Sequence, residues 1–313
     1  MTASQRLWRD LRAWFDGSAG APAQEADTRR IDPLRQVPFV VIHLGALAAP
    51  WLGISATAIA VAAALYVLRM FAITAFYHRY FAHQAFRTSR AVQFVFAVIG
   101  AAAAQRGPLW WASHHRHHHA HADRAQDSHS ALQHGLAWSH LGWFMARGNF
   151  ASRPERLPAC AALPELRFLD RWDVVVPLLL CALLYAAGAA AERMLPGLGT
   201  NGPQLVAWGF CVSTVLLYHA TFSINSVAHR WGRRRYATAD ASRNNAWLAL
   251  VTFGEGWHNN HHHVPGSARQ GFYWWEIDLS YYGLRLLEGL GLVHDLRPVP
   301  AAVRDRARRE APR

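Results

Sequence analysis

The sequence predicts an all-α integral membrane protein, in which four transmembrane helices lie under a cytosolic helical cap that holds a histidine-rich site for two metal ions. Three observations support this fold class. Apolar residues make up 52% of the 313 residues and are concentrated in separate stretches. The 19 histidines are concentrated mainly in polar segments between and after those stretches. The basic residues, all of them arginine, are also concentrated in these polar segments.

Charge and cysteine content limit the classes of partner and cofactor. The formal net charge of +12 would suit nucleic acid, anionic lipid or an acidic protein, and the apolar stretches favour the last two. No nucleic-acid partner is therefore expected. The three cysteines, Cys160, Cys181 and Cys211, form no CxxC pair. A disulfide framework, a zinc ribbon or an iron–sulfur centre is not expected from them.

Residues 1–36 are predicted to form a cytosolic or interfacial arm. The arm carries charges throughout and lacks the features of a signal peptide. Its apolar residues have helical spacing with arginines between them, which is typical either of a short interfacial helix or of a frayed amphipathic terminus. These apolar residues are Leu7, Trp8, Leu11, Trp14 and Phe15.

Residues 37–77 are predicted to form transmembrane helices 1 and 2. A turn near residues 50–53 separates a short span, 38–51, from a longer span, 55–77. A bilayer core requires about 20 apolar residues per helix, so the first span must use flanking residues or cross a thinned region. Arg69 lies inside the second span, and because a charge in lipid is costly, it is expected to face protein or lie near the cytoplasmic end.

The rest of the chain alternates between cap and membrane. Its predicted units are a first cap segment with two histidine groups (78–171), transmembrane helices 3 and 4 (172–228), and a second cap segment with the third histidine group and a basic C-terminal tail (229–313). The spans themselves are placed at 173–191 and 204–223. The apolar piece 92–104 is too short to span and is expected to lie in the cap or at the interface.

This arrangement places all three histidine groups on one side of the membrane. Two spans precede the first group and two more separate the second from the third, so the chain returns to the same side each time. The two short loops on the opposite side are nearly free of arginine, which predicts that the cap is cytoplasmic. The expected location is multi-pass in a bacterial inner membrane.

Two histidine groups share the spacing HxxHH. Positions i, i+3 and i+4 of a helix share one face, so three imidazoles from each group can point at one region. The residues are His115, His118 and His119 in one group, and His258, His261 and His262 in the other. Such a repeated spacing favours metal binding over a merely solvated histidine run, because a neutral imidazole is the commonest metal-ligating side chain.

Two further elements contribute polar residues at the ends of the predicted spans. His78 and His83 are five positions apart and would diverge on a regular α-helix, so their convergence is expected to require that the span ends there and the chain bends. Asn225 and His229 are spaced i, i+4 at the end of the fourth span.

The number of these imidazoles exceeds what one metal ion can bind, which predicts a dinuclear site. Structural zinc is usually four-coordinate, whereas an imidazole-rich site with room for oxygen suits iron. Iron next to a membrane suggests oxygen chemistry on a hydrocarbon, since no side chain can oxidise an unactivated methylene. Eight further histidines are expected to have supporting or structural roles: His43, His114, His117, His121, His134, His219, His263 and His294.

The motifs closely resemble those of the membrane fatty-acyl desaturases of the stearoyl-CoA (acyl-CoA) Δ9-desaturase family, bacterial type. The resemblance covers most of residues 37–297. It rests on the motifs HRYFAH, HRHHH, DSHS followed by WSHLGW, NSVAH, and GEGWHNNHHHVPGSARQGF.

The resemblance implies a site of two iron ions (Fe2+/Fe3+), with no catalytic residue beyond the metal ligands. The implied histidine ligands are His78, His83, His115, His118, His119, His229, His258, His261 and His262, and Asn225 would hold one iron through a water. The implied substrate-binding residues are Gln105, Trp111, Trp143 and Arg147. Carboxylates near the motifs are expected to orient the ligating imidazoles from behind: Asp127, Asp240, Glu255 and Asp278.

The resemblance also implies an activity: oxygen-dependent insertion of a cis double bond, at Δ9, into a saturated acyl chain, in unsaturated fatty acid biosynthesis. A separate electron donor, a ferredoxin or a cytochrome b5-like protein with its reductase, is implied, and residues 233–235 offer a basic docking patch. The animal enzymes of the family have a basic pair near the CoA phosphates, where this chain has only Arg147. A phospholipid-bound acyl chain is therefore an alternative to acyl-CoA.

Two other functions remain open on the residues alone. A diiron lipid hydroxylase would share the oxidant but add oxygen instead of removing a second hydrogen. A membrane metal transporter would require polar residues within the spans, and the third span has none between residues 174 and 191. This absence argues against transport.

Overall fold

The computed structural model describes residues 29–303, together with Trp8, Arg12 and residues 15–17. Within the predicted interfacial helix, Trp8, Arg12 and Phe15 are helical and exposed. The other apolar positions of that helix, Leu7, Leu11 and Trp14, lie outside the described residues. The end of the C-terminal tail, residues 304–313, also lies outside them.

The described chain is mostly helical. Its longer helices are α1 (Pro33–Ala48), α2 (Ala56–Phe71), α3 (Arg90–Ala101), α4 (Pro108–His121), α5 (Pro164–Arg171), α6 (Val175–Met194), α7 (Ser213–Ser226), α8 (Ala246–Val251), α9 (His258–His263) and α10 (Leu279–Gly289). Wider π-helical turns occupy Ala72–Ala82, Trp138–Gly142 and Leu205–Val212. Single α-helical turns lie at Ala131–His134, Trp143–Met145 and Gly202–Gln204.

Shorter elements join these helices. Turns of 3-10 helix lie at Ala49–Leu52, Arg147–Asn149, Pro154–Arg156, Ala159–Ala162, Pro196–Leu198 and Val227–His229. Two short strands, β1 (Arg87–Thr88) and β2 (Val293–His294), pair antiparallel with Arg87 opposite His294. This pair ties the segment after His83 to the C-terminal part of the chain.

Within the described residues, three continuous helical segments are long and apolar enough to cross a membrane: Ala56–Ala82, Val175–Met194 and Pro196–His229. They correspond to the second, third and fourth predicted spans. The first predicted span corresponds to the apolar helix Gln36–Leu52, which is shorter. Four crossings therefore stay a prediction. The apolar piece predicted to lie in the cap or at the interface forms α3, another short apolar helix.

Arg69 faces protein, as its position inside an apolar helix predicts. The side chain is buried and donates hydrogen bonds to the carbonyl oxygens of Leu65 (3.0 Å) and Ala102 (3.1 Å). It also donates to the hydroxyl oxygens of Thr214 (2.7 Å) and Ser213. Because these acceptors come from α7 and the end of α3, the arginine joins three helices.

The π-helical segment Ala72–Ala82 carries His78, and ten of its eleven residues are buried. The Phe76 ring stacks on Phe96 of α3, with centroids 3.9 Å apart. The Tyr77 hydroxyl donates to the carbonyl of Ala97 (2.9 Å). Gly100 allows this close approach, because an added Cβ would overlap the Tyr77 ring. The packing fixes the rotation of the segment and hence the direction of His78.

Candidate metal centre

Nine histidines meet at one end of the long helices, in two adjacent groups. The five-histidine group contains His78, His83, His115, His119 and His261. The four-histidine group contains His118, His229, His258 and His262. Within each group the ring nitrogens that could bind a metal lie within 4.8 Å of one another. The structure therefore brings together every histidine predicted to ligate metal.

Each HxxHH motif is divided between the two groups. On α4, His115 and His119 face the five-histidine group while His118 faces the other. On α9, His261 joins the five-histidine group while His262 joins the four-histidine group. The two helices therefore lie across the boundary between the groups. The rings of His119 and His262 stack across it with centroids 4.4 Å apart.

His78 and His83 converge for a reason different from the predicted bend. They belong to a π-helical turn in which the amide of His83 donates to the carbonyl of His78 (3.2 Å), five residues earlier. A π-helix makes i→i+5 hydrogen bonds and occurs frequently at functional sites. The wider turn brings residues five apart close to one face, and the two ring centroids are 4.9 Å apart. The span does end here as predicted, because the helical segment ends at Ala82 with His83 as its C-cap, but the wider last turn, and not a bend, brings the two rings together.

The nitrogen separations match those expected around a metal ion. Four pairs of Nε2 atoms lie 2.8 to 3.0 Å apart: His83 with His115, His119 with His261, His78 with His261, and His229 with His258. With metal–nitrogen bonds of about 2.1 Å, two imidazole nitrogens at right angles around one ion lie about 3.0 Å apart. Both groups therefore fit a bound metal ion.

The ring of His262 gives independent support. Its Nδ1 lies 2.9 Å from Oδ2 of Asp240, whereas its Nε2 is buried and has no hydrogen-bond partner among the described residues. Buried polar atoms are normally paired, so an unpaired Nε2 among three other imidazoles fits a metal ligand.

Carboxylates contact the far nitrogens of four of these histidines. Nδ1 of His118 lies 3.0 Å from Asp127, and Nδ1 of His229 lies 2.9 Å from Asp123. Glu255 contacts Nδ1 of His78, and Asp240 contacts His262 as above. Such contacts fix the tautomer so that Nε2 is free to bind metal, and they orient the ring.

Three of these four carboxylates were predicted from the sequence. One other predicted carboxylate, Asp278, has a different partner. Asp127, Asp240 and Glu255 have the predicted role. Asp278 instead binds the buried Arg79, whose Nη2 lies 2.9 Å from its Oδ1. Arg79 also contacts Glu255 (3.1 Å), so Asp278 supports the centre only indirectly, through Arg79 and Glu255. Asp123 was missed, although it lies at the end of the densest histidine run.

Burial keeps most of these imidazoles neutral. Desolvation, together with neighbouring histidines, holds the pKa values of five of them well below the usual value: His83, His115, His119, His258 and His261. Burial also lowers the pKa of His262 to about 4, against the opposing charge of Asp240. Since only the neutral ring offers a lone pair, these shifts favour metal binding at neutral pH.

The carboxylates behind the rings are held ionised. Burial alone would raise the pKa of Asp123, but the hydrogen bond to His229 and the accompanying charge outweigh burial and lower that pKa to about 2. The pKa of Asp127 is lowered further by His118 and His129, also against burial. Conversely, the charge of Asp127 raises the pKa of His118 despite burial.

A largely apolar cavity of about 670 Å³ leads to the centre, within the range of about 300–1,000 Å³ usual for small-molecule sites. Its walls come mainly from α1, α4, α6 and α7, from Trp143–Met145 and Leu205–Val212, and from residues 104–106 before α4. His115 of the five-histidine group and Asn225 of α7 both line it. The role of Asn225 in holding a metal ion through a water stays a prediction.

Three of the four predicted substrate-binding residues line this cavity. Trp111 stacks on the His115 ring with centroids 5.1 Å apart, and the Gln105 amide donates to the Thr221 hydroxyl (2.9 Å). Trp143 also lines the wall. Arg147 is not among the lining residues and pairs with Asp32 (3.2 Å). A role for Arg147 in substrate binding stays a prediction.

His129 is a cavity residue that sequence reasoning left without a role. Its ring stacks on His118 with centroids 4.3 Å apart and lines the cavity. Burial lowers its pKa to about 3, so it is neutral there. Its position within the DSHS motif was the available signal. His114 also lines the cavity, outside both histidine groups. The Nε2–H of His117 donates to the carbonyl oxygen of Gln126 (2.9 Å) instead.

Comparison with known proteins gives a consistent result. Residues 51–288 match the family model described as fatty acid desaturase. The chain is 36% identical over 260 residues to palmitoyl-monogalactosyldiacylglycerol delta-7 desaturase of Arabidopsis thaliana, covering 82% of this chain and 66% of that protein. It is 36% identical over 259 residues to sn-2 palmitoyl-lipid 9-desaturase of Nostoc sp., covering 81% and 86%. It is 37% identical over 247 residues to acyl-CoA C20 Delta5-desaturase of Anemone leveillei, covering 78% and 74%.

Proposed function

The chain belongs to the fatty acid desaturase family, and we propose that it inserts a cis double bond at position 9 of a saturated acyl chain. The observation that carries the proposal is the contact between the histidine centre and the apolar cavity. His115 belongs to the five-histidine group and also lines the cavity. An acyl chain in the cavity would therefore present a methylene directly beside the centre.

Two iron ions are the cofactor that we propose, one in each histidine group. With O2 and two external electrons, bound iron supplies the oxidant that an unactivated methylene requires. The balanced reaction removes two hydrogens from adjacent carbons. O2 is reduced to two waters with two added electrons and two protons. Nine imidazoles with carboxylates behind four of them support this assignment.

The chain itself would position the substrate and exclude water. Aromatic walls, including Trp111 and Trp143, bound the cavity next to the centre. The hydrogen bond between Gln105 and Thr221 joins the loop before α4 to α7, and this contact would hold the wall in place. Desolvation of the site prevents side reactions of a strong oxidant with water and exposed side chains.

The carrier that we propose is a membrane lipid. Exposed apolar residues of α1 and α6, among them Val41 and Leu178, line the cavity, and they would let an acyl chain enter from the bilayer. The pairing of Arg147 with Asp32 supports this choice, because it engages the one base expected near CoA. The named relatives include both acyl-lipid and acyl-CoA desaturases.

The membrane arrangement follows as part of the same proposal. The short helix Gln36–Leu52 would form the first of four crossings, with a thinned bilayer or flanking residues completing its length. The histidine centre would then lie on the arginine-rich, cytoplasmic side. The electron donor would reach it from that side.

Expression in a bacterial host that lacks its own desaturase tests the proposal. With iron and a competent donor and reductase present, we expect new Δ9 cis unsaturated chains in the membrane lipids. Gas chromatography with mass spectrometry of derivatised chains locates the double bond. A hydroxylated chain would instead identify a hydroxylase, and the absence of any product would refute the desaturase assignment.

The carrier is tested with purified protein in lipid vesicles. A saturated phospholipid and stearoyl-CoA, each isotopically labelled in the acyl chain, are supplied in parallel with the same donor. We expect the label to appear as unsaturated product from the phospholipid. Product from the CoA ester alone would contradict the lipid carrier while leaving the desaturase activity intact.

A further inference from the structure

A second opening reaches the five-histidine group from outside the substrate cavity. It has a volume of about 280 Å³ and is lined by side chains that include His83, His119, Arg116 and Arg156. No residue lines both this opening and the acyl cavity, which reaches the same group at His115. The five-histidine group is thus approached from two directions.

The opening exposes imidazoles of the centre itself. His83 and His119 are partly exposed, whereas His78 and His261 of the same group are buried, at 3% and 1% exposure. An electron passes to a buried metal ion through the atoms that lie between the ion and its donor. The partly exposed rings of His83 and His119 at this opening offer such a path to the five-histidine group.

The charge around the opening is positive. The described residues that line it include two arginines and no carboxylate. Positive patches attract acidic partners and raise their association rate, an effect that salt weakens. The opening therefore combines access to the centre with a charge that selects an acidic protein.

The basic run at residues 233–235 is less available than its sequence suggests. Arg235 pairs with the buried Glu276, and Arg234 donates to the carbonyl oxygens of Thr238 and Asp240 (both 2.8 Å). Two of the three arginines thus already have partners within the protein. Only Arg233 is left as an exposed charge without such a role in the described contacts, so this run offers a weaker docking surface.

Resting on the desaturase function proposed above, we propose that the opening at Arg116 and Arg156 is the docking site of an acidic one-electron carrier protein. Each double bond requires two external electrons, so two reduced carriers would dock in turn and leave oxidised. O2 receives these two electrons and the two that leave the substrate with its hydrogens. The carrier's redox group would face His83 and His119.

The test uses the full-length protein in lipid nanodiscs and an acidic [2Fe–2S] ferredoxin as the probe. Affinity is measured at low and at high ionic strength for the wild type, for Arg156→Glu, and for Arg233→Glu as the matched control on the other basic run. We expect Arg156→Glu to weaken ferredoxin binding on the order of tenfold at low salt. Arg233→Glu should bind as the wild type does, and iron content reports that each variant is folded.

Steady-state turnover gives a second readout. Arg156→Glu should raise the KM for ferredoxin much more than it lowers kcat. Unchanged affinity in Arg156→Glu, loss of affinity in Arg233→Glu instead, or wild-type binding that is insensitive to salt would each overturn the docking proposal. Failure of the desaturase function would look different, because the wild type would then yield no product even with dithionite as reductant.

Discussion

Replacing either His118 or His261 with alanine abolishes the unsaturated product. The two residues represent the two groups: His118 lies in the four-histidine group and His261 in the five-histidine group. The Nε2 atom of His261 lies 3.0 Å from that of His78 and 2.9 Å from that of His119. Removing the His261 side chain therefore deletes a nitrogen that lies within 3.0 Å of two other candidate ligand nitrogens. The measurement is lipid analysis in the desaturase-free host, with iron determined in the same preparations.

His117→Ala is the matched control for this prediction. It removes the same side chain from the same helix, one position before His118. His117 belongs to neither group, and its Nε2 contacts the Gln126 carbonyl (2.9 Å). We expect the variant to retain product and iron. The free energy of unfolding should fall by at most about 1 kcal/mol, the usual contribution of one hydrogen bond. Equal loss in His117→Ala and His118→Ala would show that the division of the motif is wrong.

Asp127→Asn lowers desaturation by about 10- to 100-fold, the usual effect of removing a carboxylate behind a metal-bound imidazole. Asp127 is fully buried and accepts from His118 Nδ1 (3.0 Å) and from the amide of Asp123 (2.9 Å). Asparagine keeps the size of the side chain but removes the charge that favours the required tautomer. The measurement compares initial rates and iron affinity between variant and wild type.

Asp295→Asn provides the control for the loss of a carboxylate. Asp295 is exposed and pairs at 3.5 Å with the exposed Arg87, and such surface pairs contribute little. We expect wild-type rate and iron affinity from it. If Asp127→Asn has the same rate as Asp295→Asn, then the carboxylate does not tune His118 and the ring is oriented by packing alone.

Much of the centre could be predicted from local spacing. HxxHH on a helix places three imidazoles near one face, and both copies lie on helices, α4 and α9. The division of each motif could not be predicted, because it depends on how α4 and α9 pack across each other. The convergence of His78 and His83 was predicted, but the π-helical turn that produces it was not, since nothing in local composition signals such a turn.

Long-range contacts explain the remaining differences. The partner of His229 is Asp123, 106 positions away, and no sequence pattern joins them. Asp278 was predicted to be a partner for a histidine, but it forms an ion pair with Arg79, which is buried beside it. Hydropathy located the three long spans because it depends only on local composition. Hydropathy also predicted a crossing for α1, and this one stays a prediction, since that helix is short and its crossing depends on the surrounding bilayer.

The central claim is that the two histidine groups each bind one iron ion, and metal analysis of the purified wild-type protein tests it most directly. Protein purified from iron-replete cells should contain two iron ions per chain, and His229→Ala, which alters only the four-histidine group, should contain fewer. Full desaturase activity in a preparation with one metal ion per chain, or with zinc in place of iron, would contradict the account.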